Sequence, residues 1–477
     1  MRGQAFTATA GLMLLLSGCA VGPRYQRPTV SVAQNWSPPE TRGINTSAPV
    51  AEWWTSFNDP QLATLIRRAV EGNLDLKLAA ARVTEARAAR GIAQAGLLPS
   101  VGAETSATRN RLRALAPTAN ANAAARTAQV ELNNFEGNFD AAWELDVFGR
   151  LRQELRAAAA DVEATEEARR AVLVTLLGDV GRSYAELRGL QLRLAIAEKN
   201  IRTQQETFEV TQARAKAGLA TDLDVERATA QLETTRSVVP TLHSGIQGAI
   251  HRLSVLLGQD PGALTAELSS SVPVPVTPPE VPVGLRSDLL QRRPDLRQAE
   301  AEIASATAHM AEAKAEWFPR FTLFGTAGRQ ASQLHDITLG VGNYFSAGPA
   351  ISVPIFTGGR IRSNIRVQDA RLQQSVLRYR SAVLSALEET ENALVNYSNE
   401  QSRRELLEGA VRANEEAVKL SRERYQAGLT DFLAVLDAQR ELYANEDLFA
   451  QSRTAQTLDL IALYKALGGG WQSSSQP

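Results

Sequence analysis

The sequence has a single cysteine in 477 residues and only four scattered histidines, His243, His251, His309 and His335. That excludes a disulfide framework and offers no metal-ligand spacing. There is no glycine-rich phosphate loop with its lysine and no nucleophile elbow. Nothing supports an enzyme, and no cofactor is expected. Aromatic residues make up 6% of the chain, few for a large globular core, whereas alanine is abundant, as in Ala157 to Ala160. Such a composition suits closely spaced helices. The net charge of −1 gives no bulk attraction to nucleic acid. The apolar run from about Ala5 to Leu16 is too short to span a bilayer as a helix.

What the chain does have is length in a helical pattern. Phe356 to Leu467 contains no proline, and Ile361, Ile365, Leu372, Val376, Tyr379, Val383 and Leu387 recur at helical spacing. A helix from Arg360 to about Ala427 would run roughly 68 residues, or about 100 Å. Gly428-Leu429-Thr430-Asp431 interrupts it. Gly428 suits the left-handed position past a helix end, and Thr430 or Asp431 suits the cap of a second helix from Phe432 to about Leu467. The result is a helical hairpin far longer than a globular core requires.

The hairpin is written twice. Arg150-Leu151-Arg152, Ala217-Gly218-Leu219 and Leu257-Gly258 return as Arg360-Ile361-Arg362, Ala427-Gly428-Leu429 and Leu467-Gly468, each 210 residues later. Upstream, Asp75-Leu76, Pro99 and Arg109 return as Asp295-Leu296, Pro319 and Arg329, 220 residues later. Two repeats, 59–258 and 285–468, therefore make up most of the chain. A proline-rich linker at 259–284 joins them, and a small polar tail at 469–477, expected to be disordered, follows.

The N-terminal run reads as a secretory signal, residues 1–18, ending in Leu16-Ser17-Gly18-Cys19. Small residues before a cysteine resemble the bacterial lipobox, in which that cysteine is lipidated; Ala20 after it favours the outer membrane. Residues 19–58 read as a lipidated tail, with Trp53 and Trp54 as a packing anchor and Asp59-Pro60 as a helix start.

Between the helical segments the period changes to two. Phe135, Phe139, Trp143 and Leu145 face one way; Glu136, Asp140, Glu144 and Asp146 face the other. Strands are expected at about 100–108, 134–147, 320–328 and 344–356, near the length of a tilted membrane strand. The alternative is a small soluble sheet with one wet face, but one face is acidic throughout, as a water-filled lumen would be, and no apolar segment remains to cover the other, so lipid is its expected cover. Four strands cannot close a barrel, which needs about eight, and lipid does not tolerate open edges. The barrel must be shared between chains.

The chain resembles the TolC-type outer-membrane efflux family, most closely its lipoprotein (NodT/OprM-like) branch. The marks are the Cys19 lipobox, Gly22-Pro23 with Tyr25 and Arg27-Pro28, and Trp53-Trp54 with Phe57-Asn58-Asp59-Pro60. Further marks are Arg293-Pro294-Asp295-Leu296, Pro354-Ile355-Phe356 before Gly358-Gly359-Arg360, Tyr425-Gln426-Ala427-Gly428, and Val435-Leu436-Asp437-Ala438-Gln439. The resemblance implies a mixed α and β membrane protein: a trimer with a shared 12-stranded β-barrel, four strands per chain, continued by a long periplasmic α-helical tunnel. It implies docking onto a periplasmic adaptor and an inner-membrane pump, usually proton-driven, with the chain lipid-anchored in the outer membrane.

By the same resemblance the hairpin turns close the tunnel and meet the adaptor, through Gly218, Leu219, Thr221 and Asp222 in one and Gly428, Leu429, Thr430 and Asp431 in the other. Asp437 matches an inward carboxylate ring, and Tyr425 and Asp224 match a link that holds the tip shut. Two departures, Ala434 for a second gate carboxylate and Thr430 for a basic partner, imply fewer polar links in the closed state. The implied function is a passive exit duct for small toxic compounds or drugs. The alternatives are a duct for secreted polypeptides, or a structural envelope lipoprotein, which would need no barrel.

Overall fold

The computed structural model describes residues 21–30, 33, 36, 44–45, 47, 50–115, 127–337 and 342–471. Cys19 lies outside the described residues. The elements run β1 (Ile44–Asn45), α1 (Pro60–Gly72), α2 (Leu74–Ala95), β2 (Ser100–Leu115), β3 (Thr127–Leu145), α3 (Arg150–Lys216) and α4 (Asp222–Leu256). They continue with β4 (Val281–Pro282), α5 (Pro294–Ala315), β5 (Arg320–Ala331), β6 (Asn343–Ser352), α6 (Arg360–Gln426) and α7 (Phe432–Ala466). The chain is mostly helical with some sheet. No helix among the described residues is long and apolar enough to cross a membrane.

The chain divides into two compact units. The first comprises Met1–Pro28, Thr84–Glu163 and Glu300–Leu377; the second comprises Thr29–Val83, Ala164–Ala299 and Arg378–Pro477. In the first, β2, β3, β5 and β6 form an antiparallel sheet in that order. Its edges, β2 and β6, each lack a further strand among the described residues. The register places Phe139 opposite both Ala103 and Ala327, and Asp140 opposite both Gly102 and Thr326. The alternation of the sequence is thus the alternation of the sheet: Val101, Phe139, Phe345 and Ile351 are all exposed on one face.

The strands differ from expectation at their ends. β2 continues to Leu115 and pairs with β3 back to Thr127, because backbone bonds hold the ladder where the apolar signal has stopped. β6 ends at Ser352, since Pro354 has no N–H to donate and restrains Val353. Pro349 is accommodated because β6 is an edge strand. After β3 the backbone bends over 147–149, with Gly149 at φ 85°. The Asp146 carboxylate accepts from the Leu151 and Arg152 amides at 3.1 and 2.8 Å, capping α3.

In the second unit Asp59 caps α1, accepting from the amides of Gln61 and Leu62 at 2.9 and 3.0 Å. Trp53 is 1% exposed and stacks on Tyr464, 5.7 Å between centroids. A Cβ at Gly181 would stand 2.7 Å from the Trp53 ring, so this helix must carry glycine there. Leu65, Leu177, Leu253 and Leu460 complete a dry core. Tyr184 donates to Asp59 at 2.7 Å, and its ring lies 4.9 Å from the fully buried Arg188 guanidinium. Burial pushes the Tyr184 phenol far above its ordinary range.

Two segments are more fixed than the sequence suggests. The linker is extended, but Val274, Val281 and Val283 are buried, and β4 pairs in parallel with β1. The final tail was expected to be disordered from 469. Instead Gly469 and Gly470 bond the carbonyls of Tyr464 and Ala51, and the Trp471 indole donates to Arg292 O at 3.1 Å. The guanidiniums of Arg170 and Arg297 lie over the Trp471 ring at 4.8 and 5.3 Å. The cations supply what the short polar sequence does not.

Candidate functional site: the hairpin turns

Both turns belong to the second unit and begin alike. At the end of α3 the Leu219 amide bonds Arg214 O at 2.8 Å and the Gly218 amide bonds Ala215 O at 2.9 Å. At the end of α6 the Leu429 amide bonds Arg424 O at 2.9 Å and the Gly428 amide bonds Tyr425 O at 3.1 Å. This is the Schellman pattern, and it needs φ of +70° at both glycines. The leucine that follows usually folds back onto the helix. Here Leu219 and Leu429 are 68% and 69% exposed, with Leu223 exposed beside them.

The turns end differently. Thr221 and Asp224 form a full capping box: the Asp224 amide bonds Thr221 Oγ1 at 3.3 Å, and the Thr221 amide and hydroxyl donate to Asp224 Oδ2 at 3.1 and 2.8 Å. Asp222 is exposed beside them. At the second turn Asp431, not Thr430, is the cap; it accepts from the Ala434 amide at 3.2 Å. Ala434 stands where Asp224 stands in the first repeat, so the reciprocal half of the box is missing. The Thr430 hydroxyl is buried without a partner.

Where the first repeat has Asp222, the second has Phe432, 2% exposed. Phe432, Leu436 and Ala228 form a small apolar cluster bordered by Phe208 and Tyr425. The Tyr425 ring lies 5.6 Å from Phe432 and 4.7 Å beneath the Arg214 guanidinium. Its hydroxyl is buried and unpartnered. Tyr425 and Asp224 are therefore not joined here; the Asp224 carboxylate is engaged in its cap. Asp437 is exposed, 3.8 Å from Arg440 one turn on. Arg440 also donates to Gln231 at 3.3 Å, and Thr207 Oγ1 accepts from Arg422 and Gln439, each at 3.0 Å. No cluster of metal-ligating residues occurs among the described residues.

Sequence reasoning missed Phe432 and Arg214. An aromatic at the first position of α7, where the first repeat carries an acid, was the available signal for Phe432. It missed the capping box too, although Thr221-Asp222-Leu223-Asp224 has the spacing for one.

A paired-repeat helical hairpin protein with a four-stranded sheet of one acidic and one apolar face is the build of a trans-envelope channel. The outer membrane efflux protein family profile matches residues 65–259 and again 285–469. The chain belongs to the outer membrane efflux protein family. It is 31% identical to the outer membrane protein OprJ of Pseudomonas aeruginosa over 99% of this chain and 97% of that one. It is 32% identical to the toluene efflux pump outer membrane protein TtgF of Pseudomonas putida, over 98% and 97%. The solved outer-membrane channel OprN is 35% identical, with a TM-score of 0.88 over 95% of this chain and 100% of that one. The chain is an outer-membrane efflux channel.

Proposed function

We propose that this channel is the passive exit duct of a tripartite system, receiving small toxic compounds from an inner-membrane, proton-driven pump through a periplasmic adaptor. It acts as a homotrimer whose twelve strands close one barrel and whose hairpins form the periplasmic tunnel. Cys19 carries lipid, and no cofactor takes part.

The observation that carries this reading is the sheet. Both its edges are unpaired, and one face exposes Val101, Phe139, Phe345 and Ile351. Open edges in lipid demand closure by neighbouring copies. The relationship to a toluene efflux protein favours small apolar cargo. The exposed leucines of both turns suit an adaptor.

At the tip, Asp437, Tyr425 and Asp224 form the gate. Three copies of Asp437 near one axis would repel unless hydrated, protonated or bridged by cations, making the closed pore cation-selective. The unspent Tyr425 hydroxyl suits a link to Asp224, whose carboxylate has acceptor sites beyond its cap. The test is native mass together with planar-bilayer conductance. A three-copy particle with steady conductance is expected, its cation block weakened by Asp437→Ala and its leak raised by Tyr425→Phe with Asp224→Ala. A non-conducting monomer refutes the duct. An unmodified residue at the mature N-terminus refutes the lipid anchor.

A further inference from the structure

The two faces of the sheet carry opposite charge. The acidic face holds Glu104, Glu136, Asp140 and Glu144 against Arg320, a net of 1 − 4 = −3 among its described residues. The apolar face holds Arg109, Arg111, Arg113 and Arg329 against Glu131 alone, a net of 4 − 1 = +3. On β2 the arginines occur only beyond the apolar stretch, while Arg329 stands in the row of Gly137, between those of Phe139 and Phe135. Arg109 lies eight residues along β2 from Val101, and Arg329 two past Ala327, the partner of Phe139. About 27 Å of strand tilted by 35–45° rises about 20 Å, near the height of an apolar membrane band. The β2 cations thus begin where the lipid-facing stretch ends, on the outer side of the proposed barrel, with Arg329 at its margin.

These side chains are built for something other than each other. Arg109, Arg111 and Arg113 are exposed. The single Glu131 carboxylate accepts from both Arg109 and Arg111. Arg329 is held by Asn343 Oδ1 at 2.9 Å and Ile337 O at 3.0 Å, which fixes its fork rather than neutralising it. Guanidinium forks match phosphate oxygens two at a time. We propose that Arg109, Arg111, Arg113 and Arg329 form a docking surface for the phosphate-bearing headgroups of outer-leaflet lipids. The surface is continuous with the apolar face, so a lipid would place its chains on Phe139 and Phe345 and its phosphate on the arginines. The proposal rests on the barrel reading above.

The full-length protein would be placed in phosphatidylcholine nanodiscs containing a trace of bisphosphorylated lipid A, or of lipid A stripped of both phosphates. Retained glycolipid is then counted after capture. Each interfacial arginine contributes about fivefold in affinity for an anionic lipid, so retention should favour the phosphorylated form by about tenfold or more. Arg109→Gln, Arg111→Gln and Arg113→Gln together should abolish that preference, whereas lysine at the same three positions should keep most of it. Equal retention of both glycolipids, or an unchanged preference in the glutamine variant, overturns the proposal. Protease cleavage within β3 or β5 in the discs would show uninserted strands and overturn the barrel reading with it.

Discussion

The second unit contains two regions of opposite construction. Around Trp53 the helices share a dry core in which Trp53, Leu65, Leu177, Tyr184, Leu253 and Tyr464 are almost wholly buried. Around the hairpin turns the core shrinks to Ala228, Phe432 and Leu436, and leucines point outward. The helix–helix contacts between turn and core include polar ones: Lys199 and Asn200 hold Glu446 at 2.8 and 2.7 Å, and the buried Gln204 amide has no partner among the described residues. Apolar burial of roughly 25 cal/mol per Å² makes the first region the source of stability. The second has little to lose when it moves, as functional segments commonly do.

The largest effect should come from Trp53→Ala. Emptying that site should cost about 3–5 kcal/mol of global stability, read as a shift in the denaturant midpoint. Phe432→Ala should cost about 3 kcal/mol locally. Hydrogen exchange should quicken at 425–436 and leak conductance rise, while exchange around Trp53 stays as it was. A matching drop in global stability would erase the contrast.

A subtler test uses Asp459, half-buried near Glu400, where burial and then that charge push its pKa up to about 6. The folded chain then keeps a proton that the unfolded chain releases above about 4. Stability from this group is present below pH 4 and falls as pH rises from 4 to 6. Asp459→Asn should therefore be more stable at pH 7 by roughly 1 kcal/mol, allowing for solvent screening at a half-exposed site. The gap should close on acidification; a pH-independent gap would count against this origin. The smallest effect belongs to Tyr425→Phe, which removes a hydroxyl with no partner within the single chain and should shift the stability of that chain by under about 0.5 kcal/mol. A loss above 1 kcal/mol would mean the hydroxyl is bonded in the assembled protein.

Much of the fold was legible because glycine and proline punctuate it. Gly218 and Gly428 mark both turns, Pro99 and Pro319 stand ahead of β2 and β5, and period-two residues mark the strands. The rest was hidden where backbone or distant charge does the holding. Arg109 to Arg113 look like loop residues, yet they continue a ladder. Trp471 looks like part of a polar tail, yet two arginines separated from it by long stretches of chain cover its ring. At the turns, sequence pointed to Asp224 only as half of a gate link and passed over Phe432 and Arg214; in the structure a helix N-terminus nearby engages the Asp224 carboxylate.

The unpaired edges β2 and β6 have a consequence for how the molecule comes into being. They are different strands, so in the shared barrel proposed above each copy offers its β6 to the β2 of another, a head-to-tail joint that ends only when the ring closes. The helical hairpins can form within one chain, whereas one chain supplies only four strands of the proposed barrel. In that proposed barrel the final hydrogen bonds are intermolecular, which makes membrane insertion a reaction of higher order, faster and more complete as copies accumulate. A midpoint of unfolding for the sheet is meaningful only at a stated protein concentration.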